Sequence, residues 1–218
     1  MMVFFFAGSP LARRPWDLTP RPRDYVIAAD MGAHHALAWG WRIDLLVGDL
    51  DSLPANEASR IEVAGTQTLR ALAAKDETDT ELALARAVSL EPEQIIVCAA
   101  TGGRTDHLLA NVLLLARPAL AERNLRLVDG GETLRLLRAE GQEAQLGIEG
   151  APGDLLSLLP LVGDAVGVST DGLAYPLHAE TLYLGQARGI SNVLTGTRCE
   201  VSLQRGQLLV IHNRMELR

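Results

Sequence analysis

Two acidic clusters sit where apolar runs give way to loops: Gly48-Asp49-Leu50-Asp51-Ser52-Leu53 and Lys75-Asp76-Glu77-Thr78-Asp79-Thr80-Glu81. Asp49 and Asp51 follow the strand-like run Asp44–Val47, and residues two apart in extended backbone point to the same side. Two carboxylates so placed repel each other unless a cation lies between them. An all-oxygen set of this kind suits Mg²⁺, which keeps several waters and takes further ligands from phosphate. The competing reading is an Asx-turn that only shapes the loop.

Lys75 is the only lysine among 218 residues, against 19 arginines, and directly precedes Asp76. An ammonium is a compact point charge on a flexible stem, able to reach a phosphate oxygen where a guanidinium fork does not fit. Thr78 to Glu81 reads as a capping box opening a helix over 81–90, so Asp79 and Glu81 complement that helix's dipole. Asp76 lies outside the helix and needs another reason. A third segment, Thr101-Gly102-Gly103-Arg104-Thr105-Asp106-His107, joins a strand to a leucine-rich helix. Free backbone N–H groups and a positive helix end there receive phosphate, and Arg104 adds a bidentate donor. Asp106 also fits an N-cap, and His107 reads as a helix-start residue rather than a base.

The elements that carry these groups alternate up to about residue 130. Strands are expected over 3–6, 25–29, 45–47, 95–98 and 125–128, and helices over 33–39, 55–63, 81–90 and 107–116. Such alternation predicts a parallel sheet of Rossmann-like α/β type with ligands at the carboxyl ends of its strands. Asp30, Asp49, Asp51 and the Thr101–Asp106 segment all fall at those ends. Further on, short glycine-punctuated strands over 133–137, 145–148, 155–159, 181–184, 199–203 and 208–211 predict a small antiparallel β-sandwich. The expected division is residues 1–135 and 136–218.

Composition narrows the function classes. A net charge of -7, a pI near 5.2 and 4% aromatic residues argue against a nucleic-acid surface. No apolar run reaches the ~18 residues of a membrane span, and the opening Met1–Ala7 reads as a buried strand rather than a secretory signal. Cys98 and Cys199 lie in strand-like runs and are too few for a disulfide framework or a zinc site, which points to the cytoplasm. Trp39 and Trp41, flanking Gly40, read as packing residues.

Taken in order, GDLDSL, KDETDTELAL, TGGRTDHLLANVLLL, GDLLSLLPL, Gly172-Leu173-Ala174-Tyr175-Pro176-Leu177 and Gly189-Ile190-Ser191-Asn192 resemble the thiamine pyrophosphokinases, as does the Asp30-Met31-Gly32-Ala33 turn. The resemblance runs from Asp30 to Ile211. It implies an α/β catalytic domain, a following β-sandwich, and a homodimer that places thiamine between subunits. The implied reaction moves the pyrophosphoryl group of ATP to the hydroxyl of thiamine and leaves AMP. By the same resemblance Asp30, Asp49, Asp51 and Asp76 hold the metal and triphosphate. Arg104 and Asp106 fall on the nucleotide segment, together with Thr101, Gly102 and Gly103, and Ser191 and Asn192 on the thiamine segment. Bacterial members often carry an acidic residue after the Ser-Asn pair, where this chain has Val193.

Phosphoryl-type transfer depends on positioning and charge neutralisation. Lys75 and Arg104 supply positive charge, and Asp76 and Asp106 are the two candidates to accept the hydroxyl proton. Ser191 and Asn192 lie more than 80 residues beyond the acidic clusters, so a pocket using both groups is expected at a domain junction, and the dimer that the resemblance implies would have the partner subunit supply one wall. A Mg²⁺-dependent nucleotide-sugar transferase and a non-catalytic nucleotide sensor remain the other classes.

Overall fold

The first strand, β1 (Met2–Phe6), is Met-Val-Phe-Phe-Phe, and its last four residues are fully buried. A strand apolar on both faces belongs inside a layered α/β structure, where helices cover the two faces of a parallel sheet. The computed structural model describes residues 1–10, 12–15, 17–48, 53–69 and 78–215. The chain divides into two units, Met1–Leu114 with Glu122–Gly130, and Leu115–Ala121 with Gly131–Arg218.

In unit 1, β1 is followed by β2 (Tyr25–Ala29), β3 (Leu45–Val47), β4 (Gln67–Leu69), β5 (Gln94–Cys98) and β6 (Leu125–Asp129). All pair in parallel in the order β6-β5-β1-β2-β3-β4. Helices α1 (Gly32–Ala38), α2 (Ala55–Val63), α3 (Asp79–Ser89) and α4 (Thr105–Leu114) alternate with the strands. On one face Phe4, Phe6, Val26, Ala28, Leu46 and Ile96 join Ala33 and Ala36 of α1 and Ile61 of α2 in one core. Alternate residues such as Phe5, Ile27 and Val97 are equally buried, and α3 packs against β1, β2 and β3. Trp41 packs edge-on to Phe4 and Phe6 at ring distances of 5.1 and 5.3 Å, and Trp39 lies 5.3 Å from Phe6. Both tryptophans are packing residues, as their sequence position suggested.

The expected capping box forms. Glu81 N–H donates to the Thr78 hydroxyl at 3.1 Å, and the Glu81 carboxylate accepts from Thr78 N–H at 3.0 Å. That reciprocal pair starts α3 two residues before the expected boundary. Helix α4 likewise begins at Thr105, because Leu108 N–H already donates to the Arg104 carbonyl at 3.1 Å. Asp106 therefore lies in the first turn and is not its cap. Strand β4 was not foreseen: it is an exposed edge strand without an apolar run.

Unit 2 is an antiparallel β-sandwich. One layer runs β12 (Asn192–Val193), β9 (Leu155–Pro160), β14 (Gly206–Asn213), β7 (Glu132–Ala139). The other runs β11 (Glu180–Leu182), β10 (Ala165–Asp171), β13 (Arg198–Leu203), β8 (Ala144–Glu149). Between them lie Leu137, Leu156, Leu158, Val168, Val201 and Leu208. Strand β10 escaped the sequence reading because Gly167, at φ +69°, sits where the register shifts between Ala165 and Val168. A bulge of that kind breaks the period of two.

Beneath β14, Asp154 accepts from Ala151 N–H at 2.9 Å, Met215 N–H at 3.0 Å and His212 Nε2 at 3.0 Å, with both side chains buried. Cys98 and Cys199 are free and buried. Burial, with the nearby Asp129 charge, pushes the Cys98 thiol up to about 12, and burial pushes Cys199 up to about 11.

Candidate active site

In the strand order of unit 1, β1 lies between β2 and β5. The chain winds outward one way through β2, β3 and β4, then returns beside β1 and winds the other way through β5 and β6. The winding thus reverses between β1 and β5, and the carboxyl ends of the strands at such a reversal are where an open parallel sheet binds ligand.

Asp30 closes β2 in the left-handed region, at φ +44°, with its N–H donating to the Val47 carbonyl at 3.1 Å. Its half-buried carboxylate lies against Gly48. A Cβ added at Gly48 would overlap Asp30 Oδ1 and lie 3.2 Å from Cγ. Gly48 itself has φ +124°, a conformation open to glycine. The glycine that ends β3 thus leaves room for the carboxylate that ends β2. A hard anionic oxygen in a recess that any side chain would fill fits one ligand of an Mg²⁺ site. Asp49, Asp51, Lys75 and Asp76 lie outside the described residues, and among those described no three His, Cys, Asp or Glu come together as a metal cluster.

The loop after β5 is tightly held. Asn111 of α4 donates to the Ala100 carbonyl at 2.9 Å. Thr101 Oγ1 donates at 2.9 Å to Asp129, which ends β6, is buried, and also accepts from Arg13 N–H at 2.7 Å. Gly103, at φ +76°, lies so close to the loop after β1 that an added Cβ would meet Pro10 Cδ at 2.7 Å. Arg104 and Asp106, both exposed, form a two-pronged ion pair at 3.1 and 2.6 Å. The hydrogen bond from Arg104 holds the Asp106 carboxyl below the ordinary carboxylate range, and Asp106 raises the guanidinium in turn. Each predicted partner of a nucleotide is thus engaged with the other.

The loop after β1 was passed over in the sequence. Ala7 and Ser9 donate from their N–H groups to the Cys98 and Ala99 carbonyls at 2.9 and 2.7 Å, and Ala99 is itself left-handed at φ +56°. His35 Nε2 donates to the Ser9 carbonyl at 2.7 Å, which fixes a proton on that nitrogen. Small residues directly after a buried strand were a legible sign. What singles this loop out is the position of β1 at the reversal, which only the strand order reveals.

In unit 2, Ser191 is left-handed at φ +58°, and its N–H donates to Ser157 Oγ at 3.0 Å. The Asn192 amide is spent on the neighbouring loop: Oδ1 accepts from Tyr175 N–H at 3.0 Å, and Nδ2 donates to the Tyr175 carbonyl at 2.6 Å. Asn192 thus clamps the Gly172–Leu177 loop and presents Tyr175, whose surface is 69% exposed.

Residues 19–128 match the family model described as the catalytic domain of thiamin pyrophosphokinase, and residues 143–208 match that of its vitamin B1 binding domain. The thiamine pyrophosphokinase of Bacillus subtilis (strain 168) is 32% identical over 209 residues, covering 95% of this chain and 96% of that one. A crystal structure of the Bacillus subtilis thiamine pyrophosphokinase superposes with a TM-score of 0.88 at 28% identity, over 99% of this chain and 100% of that chain. The yeast thiamin pyrophosphokinase has a TM-score of 0.72 at 15% identity, over 97% and 86% of the two chains, a likeness of fold alone. Neither other class left open by the sequence draws support from these matches.

Proposed function

The chain belongs to the thiamin pyrophosphokinase family, and on that premise we propose how its carboxyl edge carries out the reaction. The activity is transfer of the pyrophosphoryl group of ATP to the hydroxyl of thiamine, giving thiamine diphosphate and AMP. The thiamine oxygen bonds to the β-phosphorus, the bond from that phosphorus to the α–β bridging oxygen breaks, AMP leaves with the bridging oxygen, and the hydroxyl proton passes to a carboxylate.

Asp30, Asp49, Asp51 and Asp76 would hold Mg²⁺, which when bound supplies charge neutralisation across the phosphate oxygens. The observation that carries this reading is the Asp30 carboxylate seated on Gly48 at the ends of two adjacent parallel strands. Lys75 reaches a phosphate as a point charge, and the Arg104 fork exchanges its carboxylate partner for phosphate oxygens. Asp76, and Asp106 once that exchange releases it, are the two candidates to accept the hydroxyl proton. The backbone of Thr101, Gly102 and Gly103 faces the phosphates at the start of α4.

Thiamine is bound through the Ser191–Asn192 segment, Asn192 acting by way of the Tyr175 loop it clamps. Two chains form a homodimer with shared active sites. The enzyme works in the cytoplasm, in keeping with two free buried thiols. Among the described residues no helix is long and apolar enough to cross a membrane.

The test is incubation of purified protein with ATP, Mg²⁺ and thiamine, with AMP resolved from ADP. AMP together with thiamine diphosphate is expected, and ADP as the nucleotide product would refute pyrophosphoryl transfer. Asp30→Asn, checked for folding by circular dichroism, is expected to lose most of the turnover at limiting Mg²⁺. Wild-type turnover in that variant would remove Asp30 from the metal site.

A further inference from the structure

We propose that Ser9 is a further nucleotide-binding residue, its hydroxyl donating a hydrogen bond to a phosphate oxygen of the nucleoside triphosphate. The inference rests on the reading of this edge as the ATP site. It adds a loop that lies ahead of the residues matching the catalytic family model, which begin at 19.

Ser9 is 9% exposed, and its Oγ has no hydrogen-bond partner among the described residues. Buried hydroxyls in folded proteins are nearly always bonded, so one without a protein partner marks strain, an ordered water or a bound ligand. The surroundings favour the ligand. Every backbone hydrogen bond around Ser9 fixes the residue in place: its N–H is held by Ala99 at the exit of β5, and its carbonyl by His35 of α1. The preceding glycine, at φ +82°, comes so close to α1 that a Cβ there would sit 3.1 Å from Gly32 N and 3.2 Å from the Ala29 carbonyl. The backbone on both sides of Ser9 is therefore fixed, which sets the direction of its Cα–Cβ bond.

The direction of the hydroxyl points the same way. Ser9 Oγ lies 3.7 Å from where a Cβ of Gly103 would be, so it stands over the glycine turn that leads into α4. That turn carries the backbone N–H groups and the Arg104 fork already assigned to phosphate. The loops after β1 and after β5, joined by the hydrogen bonds from Ala7 and Ser9, thus bring a side-chain donor and backbone donors to one place. A preorganised hydroxyl that binds only when phosphate arrives adds affinity without moving anything else.

The test compares Ser9→Ala with the wild type in three measurements: thermal midpoint without ligand, dissociation constant of α,β-methylene-ATP with Mg²⁺ by calorimetry, and KM for thiamine. Removing an unpaired buried hydroxyl is expected to leave the ligand-free midpoint unchanged or raised. Affinity for the analogue is expected to fall roughly tenfold, the scale of a lost hydrogen bond to a charged oxygen, and the competing affinity of inorganic tripolyphosphate to fall in parallel. KM for thiamine is expected to stay put. Ser9→Gly repeats the comparison should the alanine variant fold poorly. Unchanged analogue affinity, with or without a lowered midpoint, would overturn the proposal, as would a loss confined to the analogue and absent with tripolyphosphate. Failure of the wild type to release AMP would sink the underlying ATP reading instead, so the two failures are told apart.

Discussion

Replacing Gly48 by alanine attacks the seat of Asp30 without touching any charge. Two costs follow from the structure. The backbone at φ +124° must hold a residue with a Cβ, a conformation that costs about 1–3 kcal/mol. The new methyl also overlaps Asp30 Oδ1 and lies 3.2 Å from Cγ, so the carboxylate has to swing out of its rotamer at about 0.5–1.5 kcal/mol. Together they amount to roughly 2–4 kcal/mol, which for a chain of this length lowers the thermal midpoint by roughly 5–15 °C. Differential scanning fluorimetry measures that shift. The second cost disappears in an Asp30→Ala background, where no carboxylate remains to be displaced, so the two changes should combine sub-additively by about 1 kcal/mol. At temperatures where Gly48→Ala is still folded, AMP release should be strongly reduced, because the moved carboxylate no longer points at the Mg²⁺ site proposed for it. A midpoint within about a degree of wild type, or full additivity with Asp30→Ala, would refute the argument that Gly48 exists to make room for Asp30.

Three further outcomes are expected. Burial raises the Asp154 carboxyl, but hydrogen bonds from Ala151, Met215 and His212 outweigh it and leave it below the ordinary range. Burial likewise holds His212 below its usual value, more strongly than Asp154 lifts it. Both groups bind protons more readily unfolded, so their stabilisation is complete above the unfolded values and is lost on acidification, first below about pH 6.5 for His212 and then below about 3.9 for Asp154. Thermal midpoints across that range should fall less steeply in His212→Gln, and parallel curves would exclude the pair as the source. Thr78→Ala removes half of a capping box and should cost about 1 kcal/mol, read as a loss of a few degrees in thermal midpoint; no loss would mean that α3 starts without it. Asn192→Ala frees Tyr175 at both its N–H and carbonyl, and should raise KM for thiamine while leaving KM for ATP alone; an equal rise in both would place the clamp outside the thiamine pocket.

The outline of both units could be read from the residues because most strands of unit 1 carry a short unbroken apolar run, as in Phe4-Phe5-Phe6 and Ile95-Ile96-Val97. The capping box was equally legible, being a local code of four residues. What resisted was whatever depended on a neighbour. Strand β4 exists by pairing with β3 and carries no apolar signal of its own, and the Gly167 bulge hides β10. At the site, the carboxylate of Asp30 was visible as a residue type, but its dependence on Gly48 is a contact across two strands. Arg104 and Asp106 fall together on the nucleotide segment, but their mutual pairing appears only when the first turn of α4 is built. Asn192 was assigned to thiamine directly, whereas its amide is bound to the backbone of a loop 17 residues away in sequence. Ser9 went unnoticed because serine after a strand is ordinary, and only its lack of a partner makes it informative.

The burial of Cys98 within β5 and Cys199 within β13 offers a way to watch this molecule. Thiols displaced to about 12 and about 11 stay protonated at neutral pH, and a protonated, enclosed sulfur does not react with maleimides or iodoacetamides. The native chain is therefore a silent background for alkylating dyes. One cysteine introduced at an exposed position such as Tyr175 would carry a fluorophore without competition, and its emission could follow the Gly172–Leu177 loop as thiamine is added.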